Sequence, residues 1–146
     1  MLYESRTEGL CWWCRAAPAD SREHKLKKTD LKRQFGPGPY PELSSHKDGG
    51  DRFIQGPDSV VVKFKPTLCS DCNNRRSQPH DLAYDRFADY VRGHDRHILS
   101  SRAIDLRAVY GRDRWEDGRD DMLRFFAKHA GCRLAENGIE VPEPHL

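Results

Sequence analysis

Four of the five cysteines come in two tight pairs, Cys11-Trp12-Trp13-Cys14 and Cys69-Ser70-Asp71-Cys72, while Cys132 stands alone. A C-x-x-C turn aims two sulfurs at one point. Two such turns supply the four thiolates of a tetrahedral site, which points to structural Zn²⁺ bound by Cys11, Cys14, Cys69 and Cys72. A redox role would need one pair inside a β-α-β pattern, and neither pair has it. A site closed by four thiolates has no open position, so such a metal fixes geometry but does not activate water. Any bond-breaking chemistry has to come from other residues.

The elements around the pairs are legible in outline. From Lys25 to Phe35 the spacing of Leu26 and Leu31 fits a short helix, and Gly36-Pro37-Gly38-Pro39 forbids its continuation. Residues 36–58 read as a long Gly/Pro/Ser/Asp-rich loop, a length more often functional than inert. Ser59-Val60-Val61-Val62-Lys63-Phe64 reads as a strand. After Pro79, Leu82, Tyr84, Phe87, Tyr90 and Val91 predict a helix to about Arg92, with Gly93 ending it. Two further helices are expected, over roughly 98–110 and 114–136, with Gly118 delaying the start of the last. Residues 1–92 then form one domain, and 93–146 a helical extension packed on or next to it.

Read in order, the chain gives C-x-x-C, Glu23-His24, a long insert, a strand, C-x-x-C-Asn73, Arg75-Arg76-Ser77, and Asp81 opening a helix. This series resembles the HNH (His-Me finger) endonucleases of the zinc-knuckle type, over about 80 residues. The resemblance implies an α+β fold: a ββα-metal core with a four-cysteine structural zinc, here followed by an α-helical C-terminal extension. It implies metal-dependent hydrolysis of DNA phosphodiester bonds, leaving a 5′-phosphate and a 3′-hydroxyl. His24 takes the place of the general base, Glu23 of the acidic metal ligand and Asn73 of the ligand at the helix start. The residue chemistry agrees. An imidazole with a pKa near ~6.5 can take a proton from water at neutral pH. Carboxylate and amide oxygens are hard donors that suit Mg²⁺ or Mn²⁺, and such an ion stabilises charge building on phosphoryl oxygens. One feature departs from the pattern: many relatives carry a central asparagine before the second knuckle, where this chain reads Val62-Lys63-Phe64-Lys65-Pro66-Thr67-Leu68. Adjacent strand residues also point to opposite faces, so Glu23 and His24 share a site only where the backbone is irregular.

The remaining residues have quieter expected roles. Net charge is +2, but six basic residues between Arg22 and Arg33 face only Glu23 and Asp30. A local basic face containing Lys25, Lys27, Lys28, Arg75 and Arg76 is therefore the expected contact for DNA, with RNA as an alternative substrate. Asp81 reads as a cap or orienting partner, His80 as a neighbour of the site, and His94 and His97 as surface residues at helix ends. Trp12 and Trp13 are expected to pack around the zinc, and Cys132 to be buried and inert. Hydrophobic residues make up 36% of the 146 and charged residues 33%, a thin core that a bound metal would help to fold. No stretch approaches the ~18 apolar residues of a membrane span, and the first residues lack a secretory signal. A soluble cytoplasmic protein, able to form a homodimer through its C-terminal helices, is the expectation. The alternative function is a non-catalytic zinc module that binds nucleic acid or protein through the same basic face.

Overall fold

The computed structural model describes residues 9–47 and 49–142. The fold is mixed α and β, with 51% of the chain helical and one small antiparallel sheet. Among the described residues, no helix is long and apolar enough to cross a membrane.

Helix α1 spans Lys28–Phe35, three residues later than expected, and buries Leu31. Lys25 stays outside it because its amide donates to the Val62 carbonyl (2.7 Å), which holds the chain extended. The long insert is not wholly irregular: strands β1 (Ser44–Lys47) and β2 (Gly50–Phe53) form an antiparallel hairpin within it. The chain reverses between them through Gly49 at φ +79°, where a side chain would be strained. The hairpin stands in solvent, and Phe53 is 68% exposed. Beneath it, Leu31, Tyr40, Ile54 and Val62 form a small apolar cluster.

The expected strand at 59–64 is a correction. Val60–Val62 form a single 3₁₀ turn, opened by the Ser59 hydroxyl accepting from the Val61 amide (3.4 Å). Only after it does the chain extend. Two isolated antiparallel bridges, Ser21 with Leu68 and His24 with Lys63, then join the segment carrying Glu23-His24 to the approach of the second knuckle. Between those bridges three steps on one side match five on the other, so Lys65 and Pro66 bulge out and no regular sheet forms.

The second knuckle runs into a π-helical turn, Cys72–Arg76, and then into α2 (Gln78–Gly93). The expected helix at 98–110 is two short ones, α3 (Asp95–Ser101) and α4 (Leu106–Tyr110), broken where Arg102 adopts φ +54°. The last helix, α5 (Trp115–Glu136), includes Gly118 rather than waiting for it. Gly118 is there because Tyr110 is: a Cβ would meet the Tyr110 ring at 2.3 Å.

Helix α5 lies along α2, with the Tyr84 and Phe125 rings stacked at 4.2 Å. It also reaches the cysteine pairs. Cys132 is 0% exposed and packs in one cluster with Cys11, Trp12, Trp13, Phe64, Leu68, Cys69 and Cys72. Gly131 admits the Trp12 ring, which a Cβ would meet at 2.4 Å. The helical extension therefore contributes core, not only cover.

Candidate functional site

The two knuckles converge. The Sγ atoms of Cys11, Cys14, Cys69 and Cys72 all lie within 4.8 Å of one another, and Cys14 Sγ is 3.9 Å from Cys69 Sγ. Zinc with sulfur at about 2.3 Å in a tetrahedron sets sulfurs about 3.8 Å apart, so the four residues can hold a metal such as zinc. The turns are shaped for it: the Arg15 amide donates to the Cys11 carbonyl (2.8 Å) with Arg15 itself at φ +54°, and the Cys72 amide points at Cys69 Sγ (3.4 Å). Burial pushes the Cys11 and Cys72 thiols up. Burial opposes ionisation of Cys14 too, yet the backbone at Ala16 and Ala17 and the neighbouring sulfurs Cys11 and Cys69 bring it down to about 7. Four thiolates crowded together repel one another, so a bound cation is what allows them all to ionise.

The segment at 21–25 divides its side chains between two faces. Ser21 and Glu23 point toward the helices. The Ser21 hydroxyl accepts from Asn73 Nδ2 (2.8 Å), and Glu23 Oε2 lies 2.5 Å from Lys128 Nζ of α5. The Lys128 ammonium also lies 3.2 Å from both Asp81 carboxylate oxygens and 3.2 Å from Ser77 Oγ. Ser77 in turn donates to the Asn73 carbonyl (2.7 Å). Asn73, Ser77 and Asp81 thus fall four residues apart along one line facing Ser21 and Glu23. Asn73 Oδ1 is buried in this line without a hydrogen-bond partner among the described residues.

His24 faces the other way. Its Nε2 lies 3.0 Å from the Pro57 carbonyl and 3.7 Å from Asp58 Oδ1. A carbonyl only accepts, so the neutral ring carries its proton on Nε2 and keeps the Nδ1 lone pair free of partners among the described residues. Burial lowers the His24 pKa below its ordinary 6.5, helped by Lys63 across the bridge and partly offset by Pro57, Glu23 and Asp58. The ring is therefore neutral at pH 7, the form a base needs. The His24 carbonyl is itself fixed by His129 Nε2 (2.9 Å), again from α5.

Glu23 and His24 thus have different partners, as strand alternation requires. Glu23 Oε1 also accepts from the His24 amide (2.7 Å), so its carboxylate curls back toward its neighbour. Among the described residues, the four cysteines are the only set of three or more Cys, His, Asp or Glu ligand atoms gathered closely enough to hold a metal ion. The chemistry of the second set still fits a hard cation in one respect: the amide oxygen of Asn73 is buried with its lone pairs unused by any hydrogen bond among the described residues.

The expected phosphate contacts are engaged internally. Lys25 pairs with Glu136 (3.4 Å), Lys27 with Asp85 (3.2 Å) and Asp81 (3.6 Å), and Lys28 with Asp58 (2.5 Å). Arg75 binds Asp71 through two nitrogens, and Arg76 stacks over the Trp13 ring at 4.8 Å. Arg22 is exposed and has no acidic partner among the described residues. The expected surface histidines His94 and His97 are exposed, and His80, expected as a neighbour of the site, is buried against Asp121 (3.1 Å) and Trp13.

Lys128 is the residue that sequence reasoning missed. Its signal was present: Phe125, Lys128 and Cys132 share the buried stripe of α5, where a charge has no business without a partner. The Pro57 carbonyl left no signal, because a backbone oxygen has no residue type. No protein-family model matches the chain, and neither a curated protein nor a solved structure is similar to it.

Proposed function

We propose that this chain is a zinc-stapled HNH-type endonuclease that hydrolyses DNA phosphodiester bonds. The observation that carries the reading is the setting of His24: a neutral imidazole, oriented through Nε2 by the Pro57 carbonyl, offers Nδ1 as base. The four-cysteine centre supports it by tying the segment before Glu23-His24 to the turn that carries Asn73. A ~1 Å error at such a site can cost ~10²-fold in rate, which gives the staple a purpose.

In this reading His24 Nδ1 takes a proton from a water as its oxygen attacks phosphorus. The P–O3′ bond breaks, the phosphate stays on the 5′ side, and the 3′ oxygen is protonated by solvent. Glu23 and Asn73 lie on the opposite face of that segment from the His24 ring; the Mg²⁺ or Mn²⁺ ion they would hold supplies positive charge to the phosphoryl and leaving oxygens once the 23–24 backbone turns both side chains to one phosphate. Arg22, two residues before His24 in sequence, exposed and free of an acidic partner among the described residues, would meet backbone phosphate.

Incubating plasmid DNA with the purified chain and Mg²⁺ or Mn²⁺ tests the reading. Cleavage by wild type that is lost in His24→Ala supports it; DNA left intact by wild type with either ion overturns it. A second reading, a non-catalytic zinc module, is favoured by the Lys128 ammonium on Glu23, which leaves that carboxylate already paired. Intact DNA together with salt-sensitive binding would select it.

A further inference from the structure

We propose that Lys128 is an internal cation that competes with a divalent metal ion for the Glu23 carboxylate, so that this one lysine sets the affinity of the hard-metal site. The inference rests on the reading of Glu23 and Asn73 as ligands given above.

Lys128 is 0% exposed, and among the described residues it is the one lysine, arginine or carboxylate that is fully buried. Among the described residues its polar contacts are all oxygens: Glu23 Oε2 at 2.5 Å, both Asp81 oxygens at 3.2 Å and Ser77 Oγ at 3.2 Å. These are the donors that Mg²⁺ and Mn²⁺ prefer. An ammonium is a compact point charge that makes up to three such contacts, so it satisfies this pocket as a weak substitute for a divalent ion.

The charge count leaves room for that ion. Lys27 sits 3.6 Å from Asp81 and 3.2 Å from Asp85, so Glu23, Asp81 and Asp85 share two ammoniums. One negative charge is unmatched, and Asn73 Oδ1 nearby in the line is buried without a partner. Lys128 can release Glu23 alone and keep Asp81 and Ser77. Metal entry then costs one ion pair and not the packing of α5.

The test titrates Mn²⁺ into the full, zinc-loaded chain and follows free Mn²⁺ by electron paramagnetic resonance. Lys128→Met is expected to bind Mn²⁺ at least about tenfold more tightly than wild type, a difference of about 1.4 kcal/mol. Adding Glu23→Gln to that variant is expected to abolish the gain. Equal or weaker binding by Lys128→Met overturns the proposal, as does a gain that survives Glu23→Gln. Should Lys128→Met be unfolded without metal, Mn²⁺ is expected to restore its circular dichroism at concentrations that leave wild type unchanged; no recovery overturns the proposal equally. DNA cleavage is not read here, so the two hypotheses fail separately. A wild type that cuts DNA while Lys128→Met binds no more tightly keeps the nuclease and discards the role of Lys128. A chain that never cuts can still show the gain.

Discussion

Two polar centres tie the N-terminal segment to the second knuckle and the start of α2, and they are built on opposite principles. The cysteine centre takes two ligands from each of two tight turns, all of one residue type, within 4.8 Å of one another. The oxygen-lined centre takes single residues from far apart in sequence: Glu23 from a bulged bridge, Ser77 and Asp81 from the start of α2, and Lys128 from α5. The first needs a cation from outside before its four thiols can all ionise. The second brings its own. A centre of repeated local pairs declares itself by spacing, whereas a centre of singletons exists only once the helices are packed.

The sharpest way to break the comparison is to remove the soft ligands. Cys72→Ser, or stripping metal with a chelator, is expected to abolish the cooperative thermal transition, because a structural zinc supplies about 10–16 kcal/mol of apparent binding energy to folding. Retention of a sharp transition in metal-free protein, with metal content measured on the same sample, would show that the apolar cluster around Cys132 suffices.

Lys128→Met attacks the other centre. It strands Glu23 and Asp81 without their shared ammonium, and breaking a buried pair in this way costs about 3–5 kcal/mol. Urea denaturation without divalent metal measures it. A cost below about 1 kcal/mol would place the lysine among ordinary surface pairs.

Between the centres, Gly131→Ala puts a methyl group into the Trp12 ring, which a Cβ would meet at 2.4 Å. Overpacking there is expected to cost about 1–3 kcal/mol while leaving metal content unchanged. Loss of metal instead would show that α5 holds the knuckles in register.

The smallest effect is with pH. Burial holds the folded-state pKa of His80 below its ordinary 6.5, against the pull of Asp121. The unfolded chain therefore protonates first. Stability from this group is complete above 6.5 and is lost as pH falls through 6.5 toward the folded value. The urea midpoint is expected to be lower at about pH 5.5 than at about pH 7.5, and His80→Gln is expected to shrink that difference. An unchanged difference in the variant assigns the slope to other groups.

The mistaken elements share a cause. Ser59–Phe64 looked like a strand because β-branched residues favour extended backbone, yet Ser59 caps a 3₁₀ turn and Val60 is 67% exposed. The hairpin within 36–58 was missed although Asp48-Gly49 is a strong turn signal, because its strands carry Ser, His and Lys and bury almost nothing. Helix α2 was legible because Pro79 opens it and Gly93 closes it.

By itself the sequence determined what spacing and chemistry determine locally: the four-sulfur set, the run of helices after Pro79, a buried Cys132, and an acid and an imidazole set side by side. Only the tertiary structure decided where those two side chains go. The bulge at Lys65-Pro66 and the packing of α5 sent Glu23 to Lys128 and left His24 to a loop carbonyl. The physical reason is range. A turn fixes its own few residues, but the partner of a buried charge is chosen by whichever helix the apolar faces bring against it.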